Sequence, residues 1–135
     1  MANNLIDIEG IGPTYAKTLG DAGLKTTDDL LKSAGSAAGR KSLAERTRID
    51  ASKILEWVNR ADLMRIKGVG SEFSDLLEAS GVDTTKELAT RVPANLHAKM
   101  AQINDAKKLV RRLPTMAEVE SWAKEAKALP AVVSY

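Results

Sequence analysis

The sequence contains no cysteine and one histidine, His97, among its 135 residues. Without cysteine, the chain lacks Cys-His catalytic pairs and the common zinc ligand sets, and the single histidine fits a surface or half-buried position on a helix. The adjacent carboxylates of Asp28 and Asp29 stand near a predicted helix start, where acidic side chains favour the helix dipole. The sequence therefore predicts a protein that is not an enzyme and needs no metal or other cofactor.

Aromatic residues make up 4% of the chain, which leaves few side chains for stacking on unpaired bases. Recognition of RNA or single strands is therefore disfavoured. No run of about 18 apolar residues occurs, so no membrane-spanning helix is expected. The opening residues, 1–10, lack the basic and apolar segments of a secretory signal. With no disulfide to form, the cytoplasm is the expected location, and neither a membrane nor a small-molecule substrate is indicated.

The rest of the composition is that of an ordinary folded domain, with 44% hydrophobic and 28% charged residues. Its length predicts one domain spanning residues 1–135. The formal net charge is only +2, but charge is unevenly placed. Residues 40–60 and 91–112 carry excesses of three and five basic residues, whereas residues 71–90 carry an excess of four acidic residues. This asymmetry predicts separate basic and acidic surfaces.

An internal duplication is the strongest pattern in the chain. Shifting the sequence by 58 positions superimposes a series of apolar residues and glycines without a gap, including Leu5 on Leu63, Ile8 on Ile66, Gly10 on Gly68, Gly12 on Gly70, Tyr15 on Phe73, Leu19 on Leu77 and Gly23 on Gly81. Trp57 and Trp122 match at an offset of 65, so the duplication extends further along the chain. We predict two repeats, 4–61 and 62–129, followed by an apolar tail, 130–135, that either docks or mediates contacts.

Each copy has the same local plan. A short helix begins at an N-cap, Asn4 or Asp62, and stops at a glycine. A Gly-x-Gly segment follows, which we call the first glycine turn (Gly10–Gly12) and the second glycine turn (Gly68–Gly70). The glycines permit positive φ, and the central aliphatic residue can point inward between two helices. A second helix then opens at once, so each turn joins two helices.

Cap residues and apolar spacing predict the remaining helices. Thr84 with Glu87, and Thr115 with Glu118, have the spacing of capping boxes, and Asp50 has the position of an N-cap. Outside the apolar tail, no alternating strand pattern is convincing. The predicted helices beyond the glycine turns are 28–34, 40–47, one starting after Asp50, one starting at Pro93, 106–113 and one running from Thr115 to Leu129.

The pattern Leu-x-x-Ile-x-Gly-x-Gly followed by a helix resembles the helix-hairpin-helix motif, which is found in proteins that bind nucleic acids without reading sequence. With two copies, the chain is similar to a family of uncharacterised bacterial domains bearing paired helix-hairpin-helix motifs. The resemblance implies an all-α fold of about eight or nine short helices, with two helix-hairpin-helix units related by an approximate two-fold pseudosymmetry.

The resemblance also implies where double-stranded DNA would bind. Backbone N–H groups of the turns and of the following helix starts would converge on phosphates, supported by nearby cations and by the basic helices. The residues concerned are Gly10, Ile11, Gly12 and Lys17 at the first turn, Lys67, Gly68, Val69 and Gly70 at the second, and Arg40, Lys41, Lys107, Lys108, Arg111 and Arg112 on the basic helices.

Acidic residues set this chain apart from the DNA-binding pattern. That pattern usually has Lys or Arg soon after the second glycine, where this chain has Thr14 and Glu72, and Pro13 removes one N–H donor. Glu72 takes the place that an anion would favour at a helix start. A second hypothesis therefore stays open, in which the turns only connect helices. The protein would then be an interaction module that binds itself or another protein.

Overall fold

The computed structural model describes residues 3–135, so the first two residues of the predicted 1–135 domain lie outside it. The described chain is all-α, as predicted. A short 3-10 helix, Leu5–Asp7, precedes eight α-helices, and one isolated antiparallel bridge joins Asn4 to Thr26. The α-helices are α1 (Pro13–Asp21), α2 (Thr27–Ala34), α3 (Ala37–Thr47), α4 (Ala51–Leu63), α5 (Ser71–Ala79), α6 (Thr85–Leu88), α7 (Pro93–Lys107) and α8 (Met116–Ala128).

No helix within residues 3–135 has both the length and the apolar character needed to cross a membrane. Helices α1 and α5 have nine residues each and begin directly after a glycine turn. Pro13 stands at the first position of α1, where its missing N–H leaves no acceptor unsatisfied. The two helices therefore begin and end at positions 58 residues apart, as the sequence shift predicts. A two-fold relation between the whole halves stays a prediction.

Buried side chains form two hydrophobic clusters. The first fills the space among α1 to α4, with Leu19, Leu30 and Trp57 among its buried members. The second lies among α5 to α8, with Leu77 and Trp122 among its buried members. Helix α4 reaches both, because its residues up to Ala61 pack in the first cluster and Leu63 packs in the second.

Side-chain caps fix several helix starts. Thr115 and Glu118 form the predicted reciprocal capping box at α8, and Asp50 accepts from the Ser52 N–H at α4. The predicted capping box of Thr84 with Glu87 is only half formed. Thr84 accepts from the Glu87 N–H, but the Glu87 carboxylate pairs with Arg91 instead of closing the box. The complete box in the first repeat is formed by Thr26 and Asp29.

The sequence predicts Asp62 as the N-cap of a new helix, and this prediction is wrong. Asp62 lies inside α4, and its side chain is 2% exposed. One carboxylate oxygen accepts from the N–H and the hydroxyl of Thr85 at 2.7 and 3.1 Å, and the other accepts from Arg65 at 2.6 Å. The carboxylate thereby caps α6 from a distance, because the Thr85 N–H that it binds is a buried donor at the first position of that helix.

Two further predictions of helix bounds need correction. Helix α3 begins earlier than Arg40, at Ala37, because Ser36 accepts from the Gly39 N–H and caps it. The predicted helix 106–113 is absent. Helix α7 continues to Lys107 and ends at Lys108 in the left-handed conformation (φ 53°), and the Asn104 side chain then accepts from the Val110 N–H. The chain from 108 to 115 is a loop, which we call the arginine loop.

Each glycine turn packs against a tryptophan side chain. Gly10 and Gly68 have φ of 96° and 90°, a region that strongly favours glycine. A Cβ at Gly10 would stand 3.3 Å from Nε1 of Trp57, and one at Gly68 would stand 3.4 Å from Nε1 of Trp122. Both turns therefore favour glycine for the backbone conformation, and at Gly10 the indole would also have to shift slightly to admit a Cβ.

The apolar tail docks on the first repeat. Val133 packs against the first hydrophobic cluster, and the Ser134 N–H donates to the carbonyl of Gly35 at 2.8 Å. The second repeat thus ends in a segment that crosses back to the first.

Replacing Gly68 with valine is expected to lower the free energy of unfolding by about 1–3 kcal/mol, because valine is strained at positive φ. The matched control is Gly70→Val, two residues along. Gly70 has φ −103°, and in the described chain a Cβ there meets no heavy atom within 4 Å. Urea unfolding measures both. Equal losses in the two variants would contradict the need for positive φ.

Replacing either Trp57 or Trp122 with alanine is expected to cost about 3–5 kcal/mol, because each leaves a large cavity. Both residues are 2% exposed, and each packs on an aromatic ring of the preceding turn's helix: Tyr15 at 5.0 Å and Phe73 at 5.2 Å between centroids. Thermal and urea unfolding measure the loss. The parent protein should also show blue-shifted tryptophan emission that iodide quenches poorly, and strong quenching would contradict the burial.

Candidate functional site

The structure brings together two groups of candidate residues that lie far apart in the sequence. An open groove of about 540 Å³ is lined by Gly68 and Gly70 of the second glycine turn, by the start of α5, and by Arg111 and Arg112 of the arginine loop. The sequence predicts a helix, 106–113, for these two arginines. The loop instead carries them to the turn that itself lacks a downstream Lys or Arg.

Arg111 is anchored to Glu72, the acidic residue at the start of α5. Its backbone N–H donates to Oε1 of Glu72 at 3.2 Å, and its guanidinium donates to Oε2 at 3.0 Å. The guanidinium bond is the main reason that the pKa of Glu72 lies below its ordinary value and that of Arg111 above. The Arg111 side chain is nevertheless 92% exposed, so solvent and other anions reach this ion pair.

Arg112 forms a second, bidentate pair with Glu118, at 2.7 and 3.1 Å. Its guanidinium also lies 5.4 Å from the centroid of the Phe73 ring. Glu118 closes the capping box of α8 at the same time, accepting from the Thr115 N–H. The arginine bond, followed by the Thr115 bond, lowers the pKa of Glu118 from 4.5 to about 2. Arg112 therefore ties the groove to the start of α8.

A third carboxylate stands behind the second glycine turn. Both oxygens of Glu125 accept from the Lys67 N–H at 3.3 Å, so this donor of the turn is already bound to an acid. The Lys67 residue itself is exposed. Three acids, Glu72, Glu118 and Glu125, thus accompany three cations around this turn, and local charge is close to balanced.

The first glycine turn has a different surrounding. Gly12 is the exposed N-cap of α1, and no side chain caps that start. Lys17 is exposed and lies 3.5 Å from Asp21, a solvent-exposed pair that contributes little to stability. Lys53 of α4 lies 5.8 Å from the centroid of the Tyr15 ring, which places a second cation at this end. Lys53 was not among the residues predicted from the sequence. Its position one helical turn before Trp57 could have indicated that it lies near the first glycine turn.

The central residues of the turns are less suited to phosphate than predicted. Ile11 and Val69 are 4% and 3% exposed, with side chains in the hydrophobic clusters. Their N–H groups donate to the carbonyls of Ile8 and Ile66, each at 3.1 Å. Both donors are therefore occupied, and the N–H groups of the glycines and of the first residues of α1 and α5 remain as the candidates at the turns.

Arg40 is removed from the candidate surface by its burial. The residue is 6% exposed, and its guanidinium donates to the carbonyls of Ala34, Gly35 and Ser134 at 3.1, 2.8 and 2.6 Å. Its guanidinium joins the end of α2 to the apolar tail and does not face solvent. The remaining candidates on the predicted basic helices are exposed but do not line the groove: Lys41, Lys107 and Lys108.

The lone histidine supports the arginine loop. His97 is half-buried on α7, and its Nε2 lies 2.8 Å from the carbonyl oxygen of Pro114. Within residues 3–135, no cluster of three or more histidine or acidic residues is arranged to hold a metal ion. The position of His97 is accounted for by this contact with the loop.

Comparison with known protein families identifies a match over most of the chain. A family model described as Domain of unknown function (DUF4332) matches residues 9–129. This span contains both glycine turns and α1 to α8, and it excludes the 3-10 helix and the apolar tail. No curated protein and no solved structure matches the chain.

Glu118→Gln is expected to remove a stabilisation that depends on pH. Because the folded-state pKa of Glu118 is lowered to about 2, its contribution is present above its ordinary pKa of 4.5 and is lost as the pH falls toward about 2. The melting temperatures of the parent and the variant should differ most near neutral pH and converge toward pH 2. Glu120→Gln, at an exposed neighbour, is the control. A difference that does not change with pH would contradict the assignment.

Proposed function

The chain belongs to the family described as Domain of unknown function (DUF4332), and we propose that it is a non-catalytic helix-hairpin-helix module that binds the backbone of duplex DNA without sequence specificity. The observation that supports this proposal is the groove that joins Gly68 and Gly70 to Arg111 and Arg112. The fold thereby supplies cations beside a turn whose own sequence lacks them. A cytoplasmic location is part of the proposal, since a chain without cysteine forms no disulfides.

The second glycine turn offers the chemistry that phosphate needs. Gly70 is the N-cap of α5, and no side chain caps that start, so the first N–H groups of the helix point toward solvent with the positive end of the helix dipole. Donors of this kind bind phosphate oxygens and carry no sequence information. Binding through them would be independent of base sequence.

The two arginines add charge that a phosphate can share. Both are paired with carboxylates in the absence of a ligand, but the Arg111 pair is open to solvent and therefore contributes little by itself. A phosphate in the groove competes with Glu72 for the guanidinium, whose planar N–H groups also match phosphate oxygens. We infer that Glu72 weakens phosphate binding, because it holds the Arg111 guanidinium that would otherwise bind the phosphate. It does not block binding, since this ion pair is open to solvent.

The first glycine turn provides a second contact. Lys17 and Lys53 lie at this end of the protein, and the start of α1 is uncapped. Pro13 removes one donor there, so this turn is the weaker of the two. Exposed lysines such as Lys107 and Lys108 would extend the interaction along the backbone.

The alternative function is that of a protein-interaction or self-assembling scaffold, with the glycine turns serving as helix connectors. The nearly balanced charge of the second turn favours this alternative, and so do the exposed apolar side chains of Val92 and Tyr135, at 57% and 72%. Two acids that would otherwise be available to a neighbour, Asp75 and Glu78, pair with Arg60 inside the chain. A scaffold would therefore rely on apolar contacts more than on these charges.

The test of the DNA proposal is a titration of a fluorescent duplex with the full chain at several salt concentrations. The logarithm of the affinity should fall linearly with the logarithm of the salt concentration, because each neutralised phosphate releases counterion at a slope of about −0.9. Replacing Arg111 and Arg112 with glutamine should weaken binding to all sequences and flatten the slope by about 1.8. Glu72→Gln should strengthen binding, since it frees Arg111.

The control removes the same amount of charge elsewhere. Lys124 and Lys127 are exposed on α8 and lie outside the groove, so replacing both with glutamine should change the slope less. Circular dichroism checks that each variant stays folded. Absence of binding at about 50 mM salt and micromolar protein, where electrostatic binding is strong, would contradict the DNA proposal. An oligomer in light scattering under the same conditions would favour the scaffold.

A further inference from the structure

The apolar tail lies on the first repeat against Gly35, Arg40 and Asn59, at a site that we call the tail groove. The tail groove shares none of these residues with the groove at the second glycine turn. It lies where α2 ends and α3 begins, beside α4. Within the tail, Val133 packs against the first hydrophobic cluster, whereas Val132 is 39% exposed, an alternation typical of an extended segment. Alternate side chains of an extended segment point to opposite sides, so one residue of the pair is buried and the other is not.

Backbone groups hold the tail in register. The Ser134 N–H donates to the carbonyl of Gly35 at 2.8 Å, and the Ser134 carbonyl accepts from the Arg40 guanidinium at 2.6 Å. Arg40 donates to the Gly35 carbonyl as well, so one buried side chain positions both partners. These bonds recognise an extended backbone, in the way that an added strand is recognised at a sheet edge.

The tail approaches the backbone of the first repeat closely at Gly35. Gly35 is buried, and a Cβ at this position would collide with the carbonyl oxygen of Val132, so the tail approaches closer than any side chain would permit. At the far end, Tyr135 lies 5.9 Å beneath the Arg40 guanidinium and donates a hydrogen bond to Asn59 at 3.3 Å. Backbone bonds thus give affinity, and Val133 and Tyr135 give selectivity.

The docked tail has features of an exchangeable ligand. Its contacts with the first repeat are confined to a few residues, and most of Tyr135 remains exposed at 72%. The segment leads away from α8 through Pro130, whose carbonyl accepts from Arg65 at 2.8 Å. An intramolecular ligand of this kind competes with a second copy at an effective concentration on the order of millimolar.

We propose that this groove is a peptide-binding site and that it accepts residues 130–135 of a second copy of the chain as well as its own. Exchange of the tail links two chains through contacts that each already makes internally, which is the lowest-cost route to self-association. The proposal is independent of DNA binding, because the groove shares no lining residue with the second glycine turn.

The test uses two full-length preparations with one label each. The sequence contains no cysteine, so Ala131→Cys in the exposed part of the tail can carry a donor dye, and Lys41→Cys, at an exposed position next to Arg40, can carry an acceptor in a separate preparation. Energy transfer between the two chains should rise as the total concentration of an equimolar mixture increases from about 1 µM to about 1 mM, the range set by the effective concentration.

Two tail variants make the result specific. Ser134→Pro in the donor chain removes the N–H that bonds to Gly35 and should lower transfer about tenfold, whereas Val132→Thr, at the outward-facing position, should leave it unchanged. A synthetic peptide of residues 129–135 should suppress transfer, and the same peptide with Val133→Asp should not. No transfer over this range, or transfer that Ser134→Pro leaves intact, would overturn the proposal.

Discussion

The contact between a glycine turn and a tryptophan indole is the constraint on which the rest of the structure depends. Gly10 lies against Trp57 and Gly68 against Trp122, and in each case the glycine also has positive φ. The positive φ favours glycine and sets the direction in which the chain enters the next helix, and the indole packs against the glycine from the side of the core. The exposed edge of the turn is thereby presented to solvent on a rigid support, which is a requirement for recognition by backbone groups.

Electrostatic neutralisation distinguishes the two halves. Around the second turn, Glu72, Glu118 and Glu125 are bound by two arginines and by the Lys67 N–H. Beside the first turn, Lys17 pairs with Asp21, and both of these side chains are largely exposed. Glu72 and Glu118 stabilise the arginine loop and at the same time lower its attraction for anions. The same bonds thus serve structure and oppose binding, so affinity for DNA would be modest and steeply dependent on salt.

Local chemistry made much of this fold predictable. Helices α1 and α5 could be placed because glycines and helical spacing mark both ends, and the box of Thr115 with Glu118 is complete within four residues. The failures involve partners distant in sequence. Asp62 looks like a cap, but its donor is Thr85, 23 residues away, and Arg40 is buried by Ser134, 94 residues away. Residues 106–113 have helical spacing, yet the chain turns at Lys108, where the backbone is left-handed and the Asn104 side chain accepts from the Val110 N–H.

Helix α4 belongs to both hydrophobic clusters, and it passes through the boundary at which the repeats were divided from the sequence. Neither half has a complete core without it: Trp57 and Val58 fill one, and Leu63 fills the other. The buried Asp62 then anchors α6 from the same helix. Loss of either half would expose an apolar face of α4, and loss of the second half would also leave Asp62 without Thr85. The two cores are therefore expected to melt in a single cooperative transition, so the duplicated chain behaves as one unit of folding instead of two domains in series.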